Sequence, residues 1–238
     1  MTVGSNSSPA AANKGDRATL GLALLSFAAG SMDAIAFLAL GGVFTSAMSG
    51  NTIVLGLAIG QGHFSSTLHA VTALLGYLTG VAGASLSLTE SGRGSGWTLG
   101  VEGIFIAAFT GLWLYSGVPA GSLVIFVLIG LSAIAMGLQG GIGRAIGAPG
   151  IMTVIFTSTY TAIVSNLVER TLNDQRPLLT NLAVRQLVAV AVYLGSAVIA
   201  GIIATHWRRL APFLPLSAIL IVLAGIHLRI IAFDKTPR

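Results

Sequence analysis

The stretch AAGSMDAIAFLALGGVFTSAMSGNTIVLGLAIG (residues 28–60) decides the fold, because it is almost entirely apolar and yet carries one acid and a polar run. The acid is Asp33, and the polar run occupies residues 45–51. A helix needs about 20 mostly apolar residues to cross the hydrocarbon of a bilayer. The stretch therefore predicts a membrane helix followed by a segment in which the helix is interrupted.

The composition of the whole chain agrees with a membrane protein. Of the 238 residues, 54% are hydrophobic and 8% are charged, whereas about a quarter are charged in an ordinary soluble domain. The charges are separated by gaps of bilayer size: Asp33 is the only one between Arg17 and Glu90, and residues 145–168 carry none. This composition excludes a water-soluble fold and predicts several membrane helices.

Other classes of protein are disfavoured by what the sequence lacks. The net charge is +5, but the basic residues are scattered at segment ends without an aromatic platform, so we expect no nucleic-acid partner. The chain has no cysteine, and the motifs of serine hydrolases, zinc proteases and nucleotide-binding loops are missing. We therefore expect no enzyme activity, no metal and no cofactor, and the bilayer is the one expected partner besides a small solute or ion. A homo-oligomer is left open.

Charges, prolines and glycines divide the chain into eight apolar segments inside one transmembrane domain, residues 18–231. The segments lie near 18–40, 43–60, 67–89, 97–116, 120–141, 150–168, 178–206 and 212–231. The seven prolines lie outside these limits or in the first turn of a segment, where helices tolerate proline. We expect residues 1–17 to be a disordered polar tail and residues 232–238 to be a short polar tail.

Two of the segments differ from plain spans because they carry Thr, Ser, Gly or Asn where Leu is usual. They read GGVFTSAMSGNTIVLGLAIG (41–60) and PGIMTVIFTSTYTAIVSNLV (149–168). In lipid an irregular backbone is tolerated only inside the protein or against water. We therefore expect two broken helices, extended through residues 45–49 and 153–157 and helical from about Asn51 and Thr159.

The two polar segments align with each other, so the chain reads as two copies of one unit. The paired positions are Thr45 with Thr153, Asn51 with Thr159 and, at a similar offset, Asp33 with Gln139. Each copy runs span, broken segment, span, span, over about residues 18–116 and 120–231. The third and seventh segments each carry a Tyr followed by small residues, a pattern typical of closely packed membrane helices.

The distribution of Lys and Arg favours one topology, since basic residues concentrate on the cytoplasmic side. If all eight segments cross and the N-terminus is cytoplasmic, the ten flanking basic residues divide six inside and four outside. If the broken segments return to their own side, Arg93 and Arg144 join the inside and the division becomes eight to two. Each half then has three crossings, an odd number, so the halves are inverted repeats. We predict this arrangement of about six spans and two re-entrant segments, with eight full spans as the alternative.

Two stretches of the chain resemble the signatures of the YoaK family of small bacterial membrane proteins. The first, residues 28–52, resembles a Gly–x–x–Asp span followed by Met–Thr–Gly–Asn–Thr. The second, MGLQGGIGRAIGAPGIMTVIFTSTYT (136–161), resembles a Gly–Leu–Gln span end followed by Met–Thr–Gly–Thr. The resemblance implies a multi-pass protein of the bacterial cytoplasmic (inner) membrane with about six spans. It implies no activity.

The sequence predicts binding residues on the two broken segments and at isolated polar positions within the spans. They are Asp33, Ser49, Gly50, Asn51, Thr52, Glu102, Gln139, Thr157, Ser158 and Thr159. A buried acid such as Asp33 is a proton or cation site, or else a hydrogen-bonded support for the broken segment. A helix that starts in mid-membrane presents free N–H groups to a solute.

These residues lead to two hypotheses for function. The first is a small-solute or ion transporter or channel, proton-coupled through Asp33. The second is a non-transporting protein that binds a partner or lipid and uses its polar segments for packing. A water-filled cavity at Asp33 and Asn51 favours the first hypothesis, and a closed core favours the second.

Overall fold

Within the residues that the structure describes, the chain forms eight α-helices and no strand. The structure is a computed structural model, and it describes residues 9–89, 94–117, 122–145, 155–174 and 177–231. The helices are α1 (Pro9–Ala39), α2 (Met48–Gly60), α3 (Phe64–Thr89), α4 (Ser95–Ser116), α5 (Ser122–Ala145), α6 (Ile155–Leu172), α7 (Asn181–His206) and α8 (Phe213–His227). Each helix overlaps one of the apolar segments expected from the sequence.

Five of these helices are long and apolar enough to cross a bilayer: α1 from Arg17, α3, α4, α5 and α7. The helices α2 and α8 are also apolar, but they have 13 and 15 residues. At 1.5 Å per residue they are about 20 and 22 Å long, against a hydrocarbon core of about 30 Å. The all-α, polytopic membrane bundle predicted from the sequence is confirmed.

Contacts between helix ends define one end of the bundle, which we call the Arg17 end. Here Arg17 Nη1 donates to the carbonyl oxygen of Arg229 over 3.3 Å. A Cβ on Gly96 would lie 3.8 Å from Ile226 of α8. The start of the α1 span, the start of α4 and the end of α8 therefore lie together.

The opposite end of the bundle, which we call the Trp113 end, joins the last turn of α4 to the α7–α8 connection. Trp113 Nε1 donates to the carbonyl oxygen of Arg208 over 3.0 Å, and Thr110 Oγ1 donates to that of Pro212 over 3.3 Å. Because α8 begins here and ends at the Arg17 end, it runs antiparallel to α4 along the part of α4 between Thr110 and Gly96. It therefore crosses the bundle despite its 15 residues.

Glycines allow α3 and α5 to pack with their backbones in close approach. A Cβ on Gly80 would collide with the carbonyl oxygen of Ile134. A Cβ on Gly76 would lie 3.0 Å from the Cβ of Ala133. The residue numbers of these contacts increase together along α3 and α5, from Gly76 with Ala133 to Gly80 with Ile134, so the two helices are parallel. The small-residue packing surface expected on the third segment is confirmed.

The chain between α1 and α2 is not helical, and it contains two glycines at positive φ, Gly41 (+85°) and Gly42 (+76°). The expected break is present, but its end was placed too late: α2 begins at Met48, so Ser49 is helical. The helix begins there because Asn51 N–H already donates to the carbonyl oxygen of Ala47 over 3.2 Å.

In the sixth segment the helix was also expected to start too late, at about Thr159. The helix α6 begins at Ile155, so Thr157 and Ser158 lie within it rather than before it. Residues 153 and 154 lie outside the described part. A helix satisfies backbone N–H and C=O groups that lipid cannot, which favours the earlier start.

The N-terminal segment differs from the expected disordered tail because α1 already begins at Pro9. Proline suits the first position of a helix, and the three alanines that follow are strong helix formers. Residues 1–8 and the predicted tail 232–238 lie outside the described residues.

Candidate functional site

The most highly hydrogen-bonded side chain in the described bundle is Asp33, which is 2% exposed and lies near the end of α1. Its Oδ1 accepts from Thr45 N–H (2.6 Å), Thr45 Oγ1 (2.8 Å) and Ser46 N–H (2.7 Å). Its Oδ2 accepts from Ser46 Oγ (2.6 Å) and Tyr193 Oη (2.7 Å). One carboxylate thus joins α1, the interruption before α2, and α7.

These contacts show how a charge is accommodated at this depth. A charged side chain inside a membrane costs at least about 2.5 kcal/mol, and hydrogen bonds to an ionised acceptor offset such a cost. A carboxylate offers about four lone-pair sites, and Asp33 already receives five donors. In this conformation Asp33 therefore supports the broken segment and has no acceptor site left for a solute.

A second side chain, Asn51, holds the same interruption from the α2 side. It is fully buried, its Oδ1 accepts from Phe44 N–H (2.7 Å), and its Nδ2 donates to the Phe44 carbonyl (2.6 Å). The side-chain amide of Asn51 thus pairs with the backbone of Phe44 through two hydrogen bonds, as residues of neighbouring β-strands do. Asn51 is therefore used within the protein, whereas the sequence predicted a side chain free to bind a solute.

The neighbouring predicted residues on α2 face away from this support. Ser49 and Thr52 are exposed on the bundle surface, and Thr52 Oγ1 donates to the Met48 carbonyl over 2.9 Å. A Cβ on Gly50 would lie 2.8 Å from the ring of Phe44. The structure therefore does not bring these residues together with Asn51 in one site.

On the second half the structure places the predicted residues on α6, which packs against α7, while α2 packs against α3. Thr159 is fully buried, and its Oγ1 has no hydrogen-bond partner among the described residues. The side chains of Thr157 and Ser158 lie outside the described part. Within the described residues, the two short polar helix starts form no extensive contact with each other.

Gln139, the predicted counterpart of Asp33, also bonds across helices. It is 2% exposed, and its Nε2 donates to the Leu25 carbonyl of α1 over 2.9 Å. Its Oε1 has no partner among the described residues. The next residue of α5 is Gly140, and the hydroxyl of Tyr77 on α3 lies 2.6 Å from where its Cβ would stand.

Glu102 contrasts with Asp33. It is fully buried on α4, and neither of its carboxyl oxygens has a partner within the described residues. Thr98, one turn earlier, is 1% exposed, and its Oγ1 is likewise without a partner there. The sequence predicted Glu102 as a binding residue at an isolated polar position within a span, and the structure encloses its side chain.

Sequence reasoning missed the role of Tyr193. The sequence marks it only as the first residue of a small-residue packing stretch, yet its hydroxyl reaches Asp33 from the second half of the chain. The available signal was that Tyr77 and Tyr193 occupy equivalent places in the third and seventh segments.

A cavity of about 480 Å³ opens at the Trp113 end, away from Asp33 and Asn51. Among its lining residues are Trp113, Trp207, Arg208 and Arg209. Its walls join the end of α4 to the α7–α8 connection, so it is an interfacial cleft rather than a path through the bundle.

The helices and the buried polar side chains define a multi-pass helical membrane protein. The chain belongs to the family described as "Protein of unknown function (DUF1275)", which it matches over residues 21–226. It is similar to the UPF0700 transmembrane protein YoaK of Bacillus subtilis (strain 168), with 30% identity over 188 residues, 75% of this chain and 81% of the relative. The resemblance to YoaK proteins is confirmed. No solved structure matches the chain.

Proposed function

We propose that the protein carries a small solute or ion across the bacterial cytoplasmic membrane by movement of two inverted halves, about residues 18–116 and 120–231, with the N-terminus in the cytoplasm. The observation that carries the proposal is the broken, half-membrane helix α2, whose entry is fixed by Asp33 of its own half and Tyr193 of the other. Broken helices at the interface of inverted repeats are a recurring architecture of transporters.

The packing of helices of each half against the first helix of the other half supports the inverted repeat. The third helix of each half packs on the first helix of the other, as α3 on α5 and α7 on α1. The fourth helices follow the same rule, with α4 on α5 and α8 on α1. The helix α1 leaves the Arg17 end, whereas α5 runs toward it, so the two first helices point in opposite directions.

The direction of α3 supports a re-entrant α2. Since α5 follows α4, it starts at the Trp113 end, and α3 runs parallel to it. The helix α1 therefore ends, and α3 begins, at the same end of the bundle. The intervening residues 40–63 enter and return on one side, as the charge distribution favours.

A closed core around the polar side chains favours the alternative of a non-transporting protein that binds a partner or lipid. Asp33 is 2% exposed, Asn51 is fully buried, and both are hydrogen-bonded within the protein. A transporter must therefore open this region in a second conformation. A packing protein keeps it closed.

Disulfide locking tests this difference, because the chain has no cysteine of its own. The pair Gly76→Cys and Ala133→Cys joins α3 of one half to α5 of the other, where the Cβ positions are 3.0 Å apart. That separation is slightly below the usual range for a disulfide, about 3.5–4.5 Å. Each single cysteine variant is the control.

The locked and unlocked protein is compared in proteoliposomes for flux of protons, alkali cations, chloride and phosphate, and for ligand-dependent melting. We expect flux of at least one ion, lost on oxidation of the double variant and restored by reductant. We also expect that ion to raise the melting temperature of the unmodified protein. Equal flux from empty and protein-containing liposomes, with no stabilising ion, favours the non-transporting alternative.

A further inference from the structure

The two acids buried in the described part of the bundle differ in their hydrogen bonding. Asp33 receives five donors, whereas Glu102 receives none although it is fully buried. Thr98 stands four residues before Glu102 and therefore on the same face of α4. Its hydroxyl is also buried without a partner among the described residues.

An ionised carboxylate cannot remain in such an environment without a counter-charge. Burial of an unpaired charge is strongly unfavourable, and the group takes up a proton instead. A neutral acid removes the charge and leaves the cost of its unpaired polar atoms. The buried carboxyl group must therefore bind a cation that removes its charge, and a proton is the smallest such cation.

The neighbouring helices bring no counter-charge to Glu102. The helices packed on α4 are α3, α5 and α8. Their described titratable residues are His69 and Tyr77 on α3, Arg144 on α5 and His227 on α8. None of them forms a hydrogen bond or ion pair with Glu102, and α4 itself carries no basic residue.

The position of Glu102 allows access from one side of the membrane. It lies seven residues after Ser95, about 10 Å along α4 from the Arg17 end. The next residue, Gly103, packs against the short helix α8, where Ile219 and Leu223 lie 3.4 and 3.3 Å from its Cβ position. We infer that water reaches the carboxyl group from the Arg17 end, when α8 separates from α4 beside Gly103.

We propose that Glu102 is the exchangeable proton site of the transport cycle, with Thr98 as its positioning residue. In the closed conformation Glu102 is a neutral carboxylic acid. When water reaches it, the O–H bond breaks, the proton passes to water as hydronium, and the carboxylate accepts a hydrogen bond from the Thr98 hydroxyl. The coupling role rests on the proposed transport function, whereas the proton site itself does not.

Infrared difference spectroscopy tests the proton site without any solute. The protein is reconstituted in nanodiscs of phosphatidylcholine and phosphatidylglycerol, and spectra are recorded at neutral pH in H₂O and D₂O. The wild type should show the C=O band of a protonated carboxylic acid, shifted in D₂O. Glu102→Gln should lose the band, and Glu169→Gln, the same change at an exposed residue of α6, should retain it.

Thr98→Val keeps the test decisive if Glu102→Gln does not fold. Because this variant removes the hydroxyl that stabilises the ionised form, its carboxylic band should persist to higher pH than that of the wild type. Absence of the band from the wild type, its survival in Glu102→Gln, or an unchanged titration in Thr98→Val overturns the proposal. Loss of the wild-type band in NaCl but not in KCl also overturns it, since the site then takes a metal cation.

The flux measurement separates this proposal from the transport function. If the wild type transports, Glu102→Gln should lose the pH dependence of flux, whereas Glu169→Gln should keep it. Unchanged pH dependence in Glu102→Gln overturns the coupling role. A carboxylic band without any flux supports the proton site and overturns its place in a transport cycle.

Discussion

The hydroxyl of Tyr193 on α7 donates a 2.7 Å hydrogen bond to Asp33 Oδ2 on α1, across 160 residues of sequence. Asp33 in turn holds the backbone of Thr45 and Ser46 just before α2. A side chain of one half therefore secures the support of the broken helix in the other half. Any movement between α1 and α7 must strain or break this contact.

Replacing Tyr193 by Phe should destabilise the protein by about 1.5–3 kcal/mol, the range for a hydrogen bond to a charged group. The measurement is the unfolding free energy in nanodiscs. Tyr115→Phe is the matched control, because Tyr115 is 91% exposed. Equal stabilities of the two variants contradict the structural role of Tyr193.

The effect of Asp33→Asn should be small and that of Asp33→Ala large. In Asn the amide oxygen can still accept the two backbone N–H groups, and the amide nitrogen can donate to the hydroxyls of Ser46 and Tyr193 once these rotate. In Ala both backbone donors are left unpaired, at about 1–3 kcal/mol each. Thermal melting and limited proteolysis near α2 provide the comparison.

The same pair of variants tests the proton hypothesis for Asp33 raised by the sequence. A proton carrier at this position does not tolerate Asn, because an amide does not titrate at neutral pH. If Glu102 is the residue that exchanges the proton, pH-dependent flux should survive in Asp33→Asn. Abolished pH dependence in a folded Asp33→Asn variant contradicts the assignment of proton exchange to Glu102.

Asn51→Ala should loosen the interruption and leave the rest of the bundle intact. The change removes both bonds to Phe44 and leaves its N–H and C=O unpaired, so hydrogen exchange at residues 44–46 should accelerate. Thr52→Val is the control, since its hydroxyl bonds only within α2. Similar exchange rates in the two variants argue against the support role of Asn51.

The parallel packing of α3 and α5 gives a test within one helix. Gly80→Ala places a methyl group against the Ile134 carbonyl, whereas Gly83→Ala meets only a Leu138 methyl at 3.7 Å. Overpacking typically costs about 1–3 kcal/mol, so Gly80→Ala should lower stability and Gly83→Ala should not. Equal effects on the melting temperature contradict this register.

The bundle was predictable because most charges and the prolines lie at or near segment ends, so the existence of the helices follows from composition. The break before α2 and its proximity to Asp33 were also predictable, since a buried acid and an irregular backbone need each other's hydrogen bonds. The helix starts were misplaced by a few residues because Ser and Thr are compatible with either a helix or a loop in lipid.

The arrangement of side chains around the site could not be predicted. The helix α2 is apolar on all sides apart from its first turns, so its sequence does not specify that Asn51 faces inward while Ser49 and Thr52 face outward. The bond from Tyr193 depends on the packing of α7 against α1, which no local pattern specifies. The packing of α8 on α4 at Gly103, the residue after Glu102, likewise joins helices that lie far apart in sequence.

The topology of the two halves is tested most directly by labelling single cysteines with a membrane-impermeant thiol reagent in intact and permeabilised cells. Gln61, Gly94, Ala145 and Arg229 are suitable positions because all four are exposed in the structure. With a re-entrant α2, Gly94→Cys and Ala145→Cys should label from the same side as Arg229→Cys, the cytoplasm, and Gln61→Cys should label from the opposite side. Labelling of Gly94→Cys and Ala145→Cys from outside, with Gln61→Cys on the same side as Arg229→Cys, would mean eight full crossings and would contradict the inverted repeat.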